Sequence, residues 1–171
     1  APVRVLVAED DDEMRHLVIR VLSDEGYQAI PARDGTEATR ILETGEFDIV
    51  LSDVRMPGAT GMDVLHQAMS RHLHQPVILM TAFGTIESAV QAMRGGAYHY
   101  LAKPFDIEDL VTVVGGAARK ILELRALEKE GAFAGGFVLN LNVRSLERTL
   151  PEVPEFAERV KRLADLRAAT R

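Results

Sequence analysis

Five polar side chains in this sequence have the types and positions needed to handle a phosphoryl group. Each stands at the end of a short apolar segment: the carboxylates of Glu9, Asp10 and Asp53, the hydroxyl of Thr81 and the ammonium of Lys103. Three converging carboxylates repel one another unless a cation joins them, and carboxylates with a carbonyl and water suit Mg²⁺. Phosphoryl transfer needs a metal, a cation, a hydroxyl or amide donor and an in-line nucleophile. The set therefore predicts that Asp53 is a nucleophile that forms an aspartyl phosphate.

The elements that must position these side chains alternate between strand and helix. Five apolar segments predict strands: Val3–Ala8, Tyr27–Pro31, Phe47–Ser52, Pro76–Thr81 and Ala97–Ala102. Apolar residues at helical spacing follow each strand. Such alternation predicts an α/β fold with a doubly wound, five-stranded parallel sheet, of which the flavodoxin-like order 2-1-3-4-5 is the simplest form. The carboxyl ends of its strands share one edge, so we expect the five polar side chains to converge there.

Two of the predicted helices carry apolar residues whose burial decides their role. The fourth helix is marked by Ile86, Ala89, Val90 and Met93 and is ended by the Gly95-Gly96 pair. The last helix, capped by Asp106, continues an alternating four-and-three spacing that is typical of a coiled-coil seam. That spacing runs through Leu110, Val114, Ala117, Ile121 and Leu124, and Leu127 follows three residues later.

Packing on the sheet accounts for the first part of this spacing. We expect Ile121, Leu124 and Leu127 to lie beyond the cover of the sheet and to form a short dimer seam. The Gly115-Gly116 pair inside the same helix predicts a bend or a close contact, because each glycine costs about 1 kcal/mol there relative to alanine.

Composition limits the classes of function. The 171 residues include no cysteine, which excludes disulfides and thiolate metal sites and suits a cytoplasmic protein. No signal peptide or membrane-spanning segment is apparent. Residues 1–130 carry 21 acidic and 13 basic side chains, so we expect this part not to bind nucleic acid directly. The histidines His66, His72 and His74 show no clear ligand spacing and are expected at the surface.

The combined motifs resemble the receiver domain of two-component response regulators over roughly residues 2–122. They are Glu9-Asp10 with Arg15 following, Asp53-x-x-Met56-Pro57-x-x-x-Gly61, Thr81-Ala82 and Lys103-Pro104-Phe105. The pattern from Thr81 to Gly84 and from Tyr100 to Asp106 is similar to receivers of nitrogen-regulation-type, sigma-54-dependent transcriptional activators. No phosphate-binding G-x-x-x-x-G-K-[ST] sequence follows in residues 123–171. The chain is thus expected to be either a fragment of a longer regulator or a stand-alone one.

The resemblance implies a role for each residue of the site. Asp53 would be the phosphoacceptor, with Glu9, Asp10 and the backbone carbonyl of Arg55 completing the Mg²⁺ ligands. Thr81 and Lys103 would bind phosphoryl oxygens, and Tyr100 would be the aromatic switch residue. The Lys103–Pro104 peptide bond would be cis. The partners implied are a cognate sensor histidine kinase and a second copy of the chain, which would bind through the fourth helix, the fifth strand and the fifth helix.

Two alternatives stay open on the residues alone. The acidic pair could be Asp10 with Asp11 in place of Glu9 with Asp10, although the spacing to Arg15 favours the latter. The chain could also be a Mg²⁺-dependent phosphohydrolase with an aspartyl-phosphate intermediate. Such an enzyme usually needs a general acid two residues after the nucleophile. That position is Arg55, which favours a switch without enzymatic output.

The domain organisation follows from these assignments. Residues 1–122 are predicted to form the receiver domain, and residues 123–136 a helical extension and linker, with the linker beginning at Gly131. The last residues, 137–171, are predicted to be a small, partly helical tail. The receiver fold is thus expected to carry an extended last helix.

Overall fold

The computed structural model describes residues 1–71, 74–82 and 84–134, without the side chains of 130–134. The predicted alternation is confirmed, and each strand begins and ends within two residues of its prediction. The strands are β1 (Arg4–Ala8), β2 (Gln28–Ala32), β3 (Ile49–Asp53), β4 (Val77–Thr81) and β5 (His99–Ala102). The helices are α1 (Asp12–Asp24), α2 (Gly35–Thr44), α3 (Gly61–Arg71), α4 (Ile86–Arg94) and α5 (Ile107–Ala134). The predicted tail, residues 137–171, lies outside the described residues.

The five strands form one parallel sheet in the order β2-β1-β3-β4-β5, as predicted. The register matters for the site because it sets which strand ends are level. Ala8 pairs with Ser52, and Asp53 pairs with Met80. The residue after β1 is therefore beside Asp53, and the end of β4 lies just past it.

Two apolar clusters cover the faces of the sheet. Alternate residues of one strand enter different clusters, since Val5 and Val7 belong to the first and Leu6 and Ala8 to the second. The first cluster includes residues of α1 and α5, and the second includes residues of α2, α3 and α4. Both β3 and β4 are buried along their whole length. Their ends are thus held by core packing from both sides.

Helix α1 shows where a helical pattern over-predicts burial. Its buried residues are Arg15, Val18 and Leu22, whereas Leu17, an apolar residue at helical spacing from Val21, is 43% exposed. Apolar spacing alone would place Leu17 on the buried face and leave Arg15 out of it. The side chain of an arginine can bury its stem and still reach polar partners, which hydrophobic periodicity does not register.

Helix α4 has the larger exposure of apolar side chains. The apolar residues that identify it are mostly exposed: Ile86 by 87%, Val90 by 43% and Met93 by 50%. Of its residues only Ala92 is buried. Regular spacing shows that side chains share a face, and it carries no information on whether that face is covered.

Helix α5 packs on the sheet for longer than the sequence predicted. Leu110, Val114, Ala117 and Ile121 all belong to the first core cluster. The expectation that Ile121 lies beyond the sheet was wrong, because its side chain is only 8% exposed. The predicted close contact is confirmed: a Cβ added to Gly116 would lie 2.9 Å from the Tyr98 hydroxyl.

The compact unit that contains the sheet ends within this helix, at Ile121. The helix itself continues to Ala134, which is four residues into the linker predicted from Gly131. Glycine is only a weak helix breaker, and the alanines at 132 and 134 favour a helix. No helix in the described part of the chain is both long and apolar enough to cross a lipid bilayer.

Candidate functional site

Three carboxylates meet at the carboxyl edge of the sheet. Asp53 is the last residue of β3, and Glu9 and Asp10 follow β1. One carboxylate oxygen from each of the three lies within 4.8 Å of the others. Glu9 and Asp53 are buried, while Asp10 is exposed. The predicted convergence of these side chains is therefore present in the fold.

Lys103 directly follows β5, an edge strand of the sheet, and its side chain contacts this cluster. Its Nζ donates to Glu9 Oε2 at 2.8 Å and to Asp53 Oδ2 at 3.2 Å. The Lys103 backbone N–H donates to the Thr81 carbonyl oxygen at 2.7 Å, which ties the end of β5 to the end of β4. The peptide bond between Lys103 and Pro104 is cis, as predicted.

Charge and burial act against each other in this group. Burial raises the pKa of Glu9, and the charge of Asp53 raises it further, while Lys103 lowers it; the net direction is upward. For Lys103 burial favours the neutral amine, but the hydrogen bonds and charges of Glu9 and Asp53 outweigh it and raise its pKa. The ammonium group therefore stays charged beside the carboxylates.

The donor set fits a hard divalent cation. Three carboxylates and one ammonium leave two formal negative charges uncompensated when all are ionised. A cation beside Glu9 would also act against the upward shift of its pKa. Carboxylate oxygens, with water and a carbonyl, are the ligands that Mg²⁺ prefers. The residues that the structure brings together are thus able to hold such an ion.

Asp11 has a different environment from Glu9. It is the N-cap of α1, and its side chain accepts a hydrogen bond from the Met14 backbone N–H at 2.8 Å. The Asp11 backbone N–H points back and donates to Glu9 Oε1 at 3.3 Å. An N-cap carboxylate satisfies a helix donor that has no other partner. The carboxylates that cluster with Asp53 are those of Glu9 and Asp10.

Thr81 and Tyr100 lie on the β4–β5 side of the site. Thr81 ends β4 and is 2% exposed, and Tyr100 is half-buried in β5. Gly84 lies against both, because a Cβ added there would be 3.3 Å from a side-chain carbon of each. Gly84, between β4 and α4, therefore lies next to both predicted switch residues.

Ser88 is a residue of this region that the sequence did not single out. Its Oγ is 2.9 Å from the Tyr100 hydroxyl. Ser88 is also the third residue of a capping box at the start of α4, in which its side chain and that of Thr85 accept from each other's backbone N–H groups. The Thr-x-x-Ser spacing was the available signal, since capping boxes follow this spacing, usually with Glu or Gln as the third residue.

Arg15 is the second residue that the sequence left without a role. Its Nη1 donates to the Glu9 carbonyl oxygen at 2.9 Å, and its Nη2 donates to Asp12.

Of the three histidines considered as metal ligands, His66 and His74 are exposed as expected, and His72 lies outside the described residues.

Gly61 shows how closely the loop after the site packs. A Cβ added to Gly61 would lie 2.3 Å from the Asp53 carbonyl oxygen and 2.8 Å from the Val54 Cα. Its own N–H donates to the Val54 carbonyl oxygen at 2.9 Å. A side chain at this position would displace the backbone of Asp53. Close packing therefore explains why the Asp53-x-x-Met56-Pro57-x-x-x-Gly61 motif ends in glycine.

Curated relatives carry the same domain. Regulatory protein AtoC of Escherichia coli K12 is 35% identical over 127 residues, which cover 74% of this chain and 27% of AtoC. The DNA-binding transcriptional regulator NtrC of Klebsiella pneumoniae is 40% identical over 111 residues, 65% of this chain and 24% of NtrC. The transcriptional regulatory protein PdtaR of Mycobacterium tuberculosis is 37% identical and covers 77% of this chain and 64% of PdtaR. The chain thus spans about a quarter of the length of AtoC and NtrC.

Solved structures agree with the fold. A response regulator receiver domain protein from Clostridium thermocellum superposes with a TM-score of 0.66 at 30% identity, covering 71% of this chain and 98% of that one. NtrX from Brucella abortus superposes with a TM-score of 0.68 at 30% identity, covering 75% of this chain and 29% of NtrX. The family model for the response regulator receiver domain matches residues 5–115. The chain therefore belongs to the response regulator receiver domain family.

Proposed function

We propose that Asp53 is the phosphoacceptor of this receiver and that a sensor histidine kinase supplies the phosphoryl group. The observation that carries the proposal is the contact of Lys103 with both Glu9 and Asp53 at the carboxyl edge of the sheet. An Asp53 carboxylate oxygen would attack the phosphorus of the donor phosphohistidine. The P–N bond would break, and its electron pair would remain on the imidazole nitrogen. The product is an aspartyl phosphate.

The ligands of the ion required for this step are proposed to be Glu9, Asp10, Asp53 and the backbone carbonyl of Arg55. A bound Mg²⁺ supplies positive charge that offsets the negative charge of the phosphoryl oxygens. Lys103 contributes a second positive charge. Its ammonium group, which contacts the Asp53 carboxylate, would contact a phosphoryl oxygen after phosphorylation. The Thr81 hydroxyl would donate to another phosphoryl oxygen.

The proposed output is a change in association. When the Thr81 hydroxyl moves towards the phosphoryl group, Tyr100 can turn into the space that it leaves. This would alter the surface formed by α4, β5 and α5, which we propose as the contact surface of a homodimer. Exposed Ile86, Val90 and Met93 lie on this surface and support the assignment.

The biological setting is inferred from the names of the relatives. Since AtoC is a regulatory protein and NtrC a DNA-binding transcriptional regulator, we propose that this receiver controls transcription within the cytoplasm. Residues 1–122 would form the receiver, 123–136 a helical extension and linker, and 137–171 a tail. The compact unit that ends at Ile121 supports the first of these boundaries.

Labelling with acetyl phosphate tests the chemistry. Intact-mass spectrometry of the full chain should show one added phosphate with Mg²⁺, and none in EDTA or in Asp53→Ala. Glu9→Gln should lose most of the Mg²⁺-dependent labelling. Asp11→Asn is the matched control. Because Asp11 caps α1 and is not a proposed ligand, the folded variant should be phosphorylated to the wild-type level. Labelling that survives EDTA, or that depends on Asp11 in place of Glu9, would contradict the proposed site.

Turnover distinguishes the switch from a phosphohydrolase. The switch predicts a phosphorylated protein that loses its phosphate slowly and performs no sustained hydrolysis of phosphate esters. Repeated turnover of p-nitrophenyl phosphate that is lost in Asp53→Ala would instead favour the enzyme. Arg55 at the position of the usual general acid makes the first outcome the expected one.

Lys103 should connect the chemistry to the conformational change. Lys103→Ala removes the ammonium that contacts Asp53, so we expect the variant to accept phosphate but to respond weakly. The measurement is sedimentation velocity of the full chain with and without beryllofluoride, a phosphoryl mimic. Arg20→Ala is the control, since Arg20 is an exposed cation of α1, outside both the site and the proposed contact surface. A Lys103→Ala variant that keeps the whole wild-type response would show that the proposed role is wrong.

A further inference from the structure

Arg15 is a buried arginine next to the acidic cluster that the proposed chemistry does not use. It lies one turn into α1 and is only 6% exposed. Its guanidinium donates through Nη1 to the main-chain carbonyl oxygen of Glu9, at 2.9 Å in a buried position. A second donor of the same fork contacts the Asp12 carboxylate. The arginine therefore bridges the end of β1 and the first turn of α1.

The contacts of Arg15 are directed at the backbone that carries the carboxylates. The carbonyl that it binds belongs to the peptide unit between Glu9 and Asp10, so its position affects where both side chains leave the chain. The same short loop is fixed by the Asp11 N–H, which donates to the Glu9 carboxylate, and by the Asp11 cap of α1. Substitution of groups that orient metal ligands typically lowers metal affinity by about 10- to 100-fold.

We propose that Arg15 is a positioning residue that fixes the Glu9–Asp10 peptide so that both carboxylates face the metal position beside Asp53. This inference rests on the proposed Mg²⁺ site. A simple charge argument gives the opposite sign: a guanidinium near a cation site should repel the cation, so its removal should tighten binding. The ion pair with Asp12 offsets that charge, which leaves the geometric effect as the larger one.

The sign of the change in Mg²⁺ affinity thus separates the two explanations. Isothermal titration calorimetry of the full chain with MgCl₂ is the measurement. Arg15→Met keeps the length of the side chain without charge or donors, and Arg15→Lys keeps the charge without the planar fork. Positioning predicts that both variants raise the Kd for Mg²⁺ by about 10- to 100-fold. The control Asp12→Asn removes the ion pair and leaves the carbonyl contact, so its Kd should stay within about threefold of wild type.

A second readout excludes a general loss of structure. Phosphorylation by acetyl phosphate should reach the wild-type level in Arg15→Lys when Mg²⁺ is raised in proportion to its Kd, because the nucleophile and Lys103 are intact. An unchanged or lower Kd in a folded Arg15→Met or Arg15→Lys variant would overturn the proposal. So would an Asp12→Asn variant that loses as much affinity as Arg15→Lys.

Failure of the underlying function would look different. If the wild-type chain neither binds Mg²⁺ nor becomes labelled, the proposed site itself is wrong. If the wild type binds Mg²⁺ and the two Arg15 variants bind it equally well, only the role of Arg15 is wrong. Circular dichroism melts of each variant, with and without MgCl₂, identify any variant that does not fold.

Discussion

Helices α1 and α4 both begin a few residues after a strand that ends at the site, but they are held in different ways. Helix α1 buries Val18, Leu22 and Arg15, and its capping residue Asp11 touches the acidic loop. Helix α4 buries Ala92 and exposes most of its other apolar residues. Its first turn depends on a hydrogen-bonded cap that also reaches Tyr100. Core packing dominates in one helix, and polar contacts at one end dominate in the other.

This contrast agrees with two different proposed roles: metal binding next to α1 and a conformational change at α4. Carboxylates that hold a metal ion need a fixed geometry, which the buried face of α1 provides. A segment that reports phosphorylation needs two arrangements of similar free energy, and elements with few buried apolar contacts have them most readily. We therefore expect phosphorylation to move α4 and to leave α1 in place.

The largest effect on stability is expected when one apolar side chain is removed from each helix. Leu22→Ala, at a fully buried position in the first core cluster, should lower the free energy of unfolding by about 2–5 kcal/mol, because it leaves a cavity. Met93→Ala, at a side chain 50% exposed, should lower it by about 0.5 kcal/mol or less. Urea unfolding followed by circular dichroism measures both. Equal losses would show that α4 is packed as tightly as α1.

The sequence predicted the sheet and the site edge well, because both depend on strong local signals. Short apolar segments ending in Asp53 and Lys103 place those residues at one edge whatever the helices do. The burial of a helix face is harder to predict from the sequence. Ile86 and Leu22 both stand at helical spacing from other apolar residues, yet one is exposed and the other is in the core. Which face of a helix is covered depends on tertiary packing that a single sequence does not contain.

Two further residues show the same limit. Ile121 was expected beyond the sheet because only the first part of the apolar spacing in the last helix was assigned to packing on the sheet, whereas α5 keeps Ile121 in the first core cluster. Ser88 was not assigned to the site, because its spacing to Thr85 indicates only the start of a helix. Its contact with Tyr100 joins residues twelve positions apart, on different elements, and no local pattern encodes that distance.

An intermediate effect is expected from the contact between Ser88 and Tyr100. Ser88→Ala and Tyr100→Phe each remove one partner, and the Tyr100→Phe change leaves the capping box of α4 intact. A single hydrogen bond of this kind contributes about 0.5–1.5 kcal/mol, so the double mutant should be more stable than the sum of the single losses predicts by about that amount. Urea unfolding of the four proteins gives the coupling free energy.

The matched control for this cycle is Thr85→Ala combined with Tyr100→Phe. Thr85 forms the cap with Ser88, and its side-chain hydroxyl is hydrogen-bonded to Ser88. That pair should therefore be nearly additive. Strict additivity of Ser88→Ala with Tyr100→Phe would mean that Tyr100 is not held by Ser88, and the proposed connection between β5 and α4 would lose its support.

The smallest expected effect on stability belongs to Ile86, at the exposed start of α4. Ile86→Asn replaces a side chain that is 87% exposed, so the free energy of unfolding should change by no more than about 0.5 kcal/mol. The same change should weaken self-association, because an apolar side chain on the proposed dimer surface would be replaced by a polar one. Sedimentation velocity of the full chain, with and without beryllofluoride and Mg²⁺, measures the response. Leu17→Asn on α1 is the matched control, an exposed apolar residue at a helix that should not move. If Ile86→Asn associates like wild type in both states, the start of α4 is not part of the dimer surface. A larger effect of Leu17→Asn would place that surface on α1.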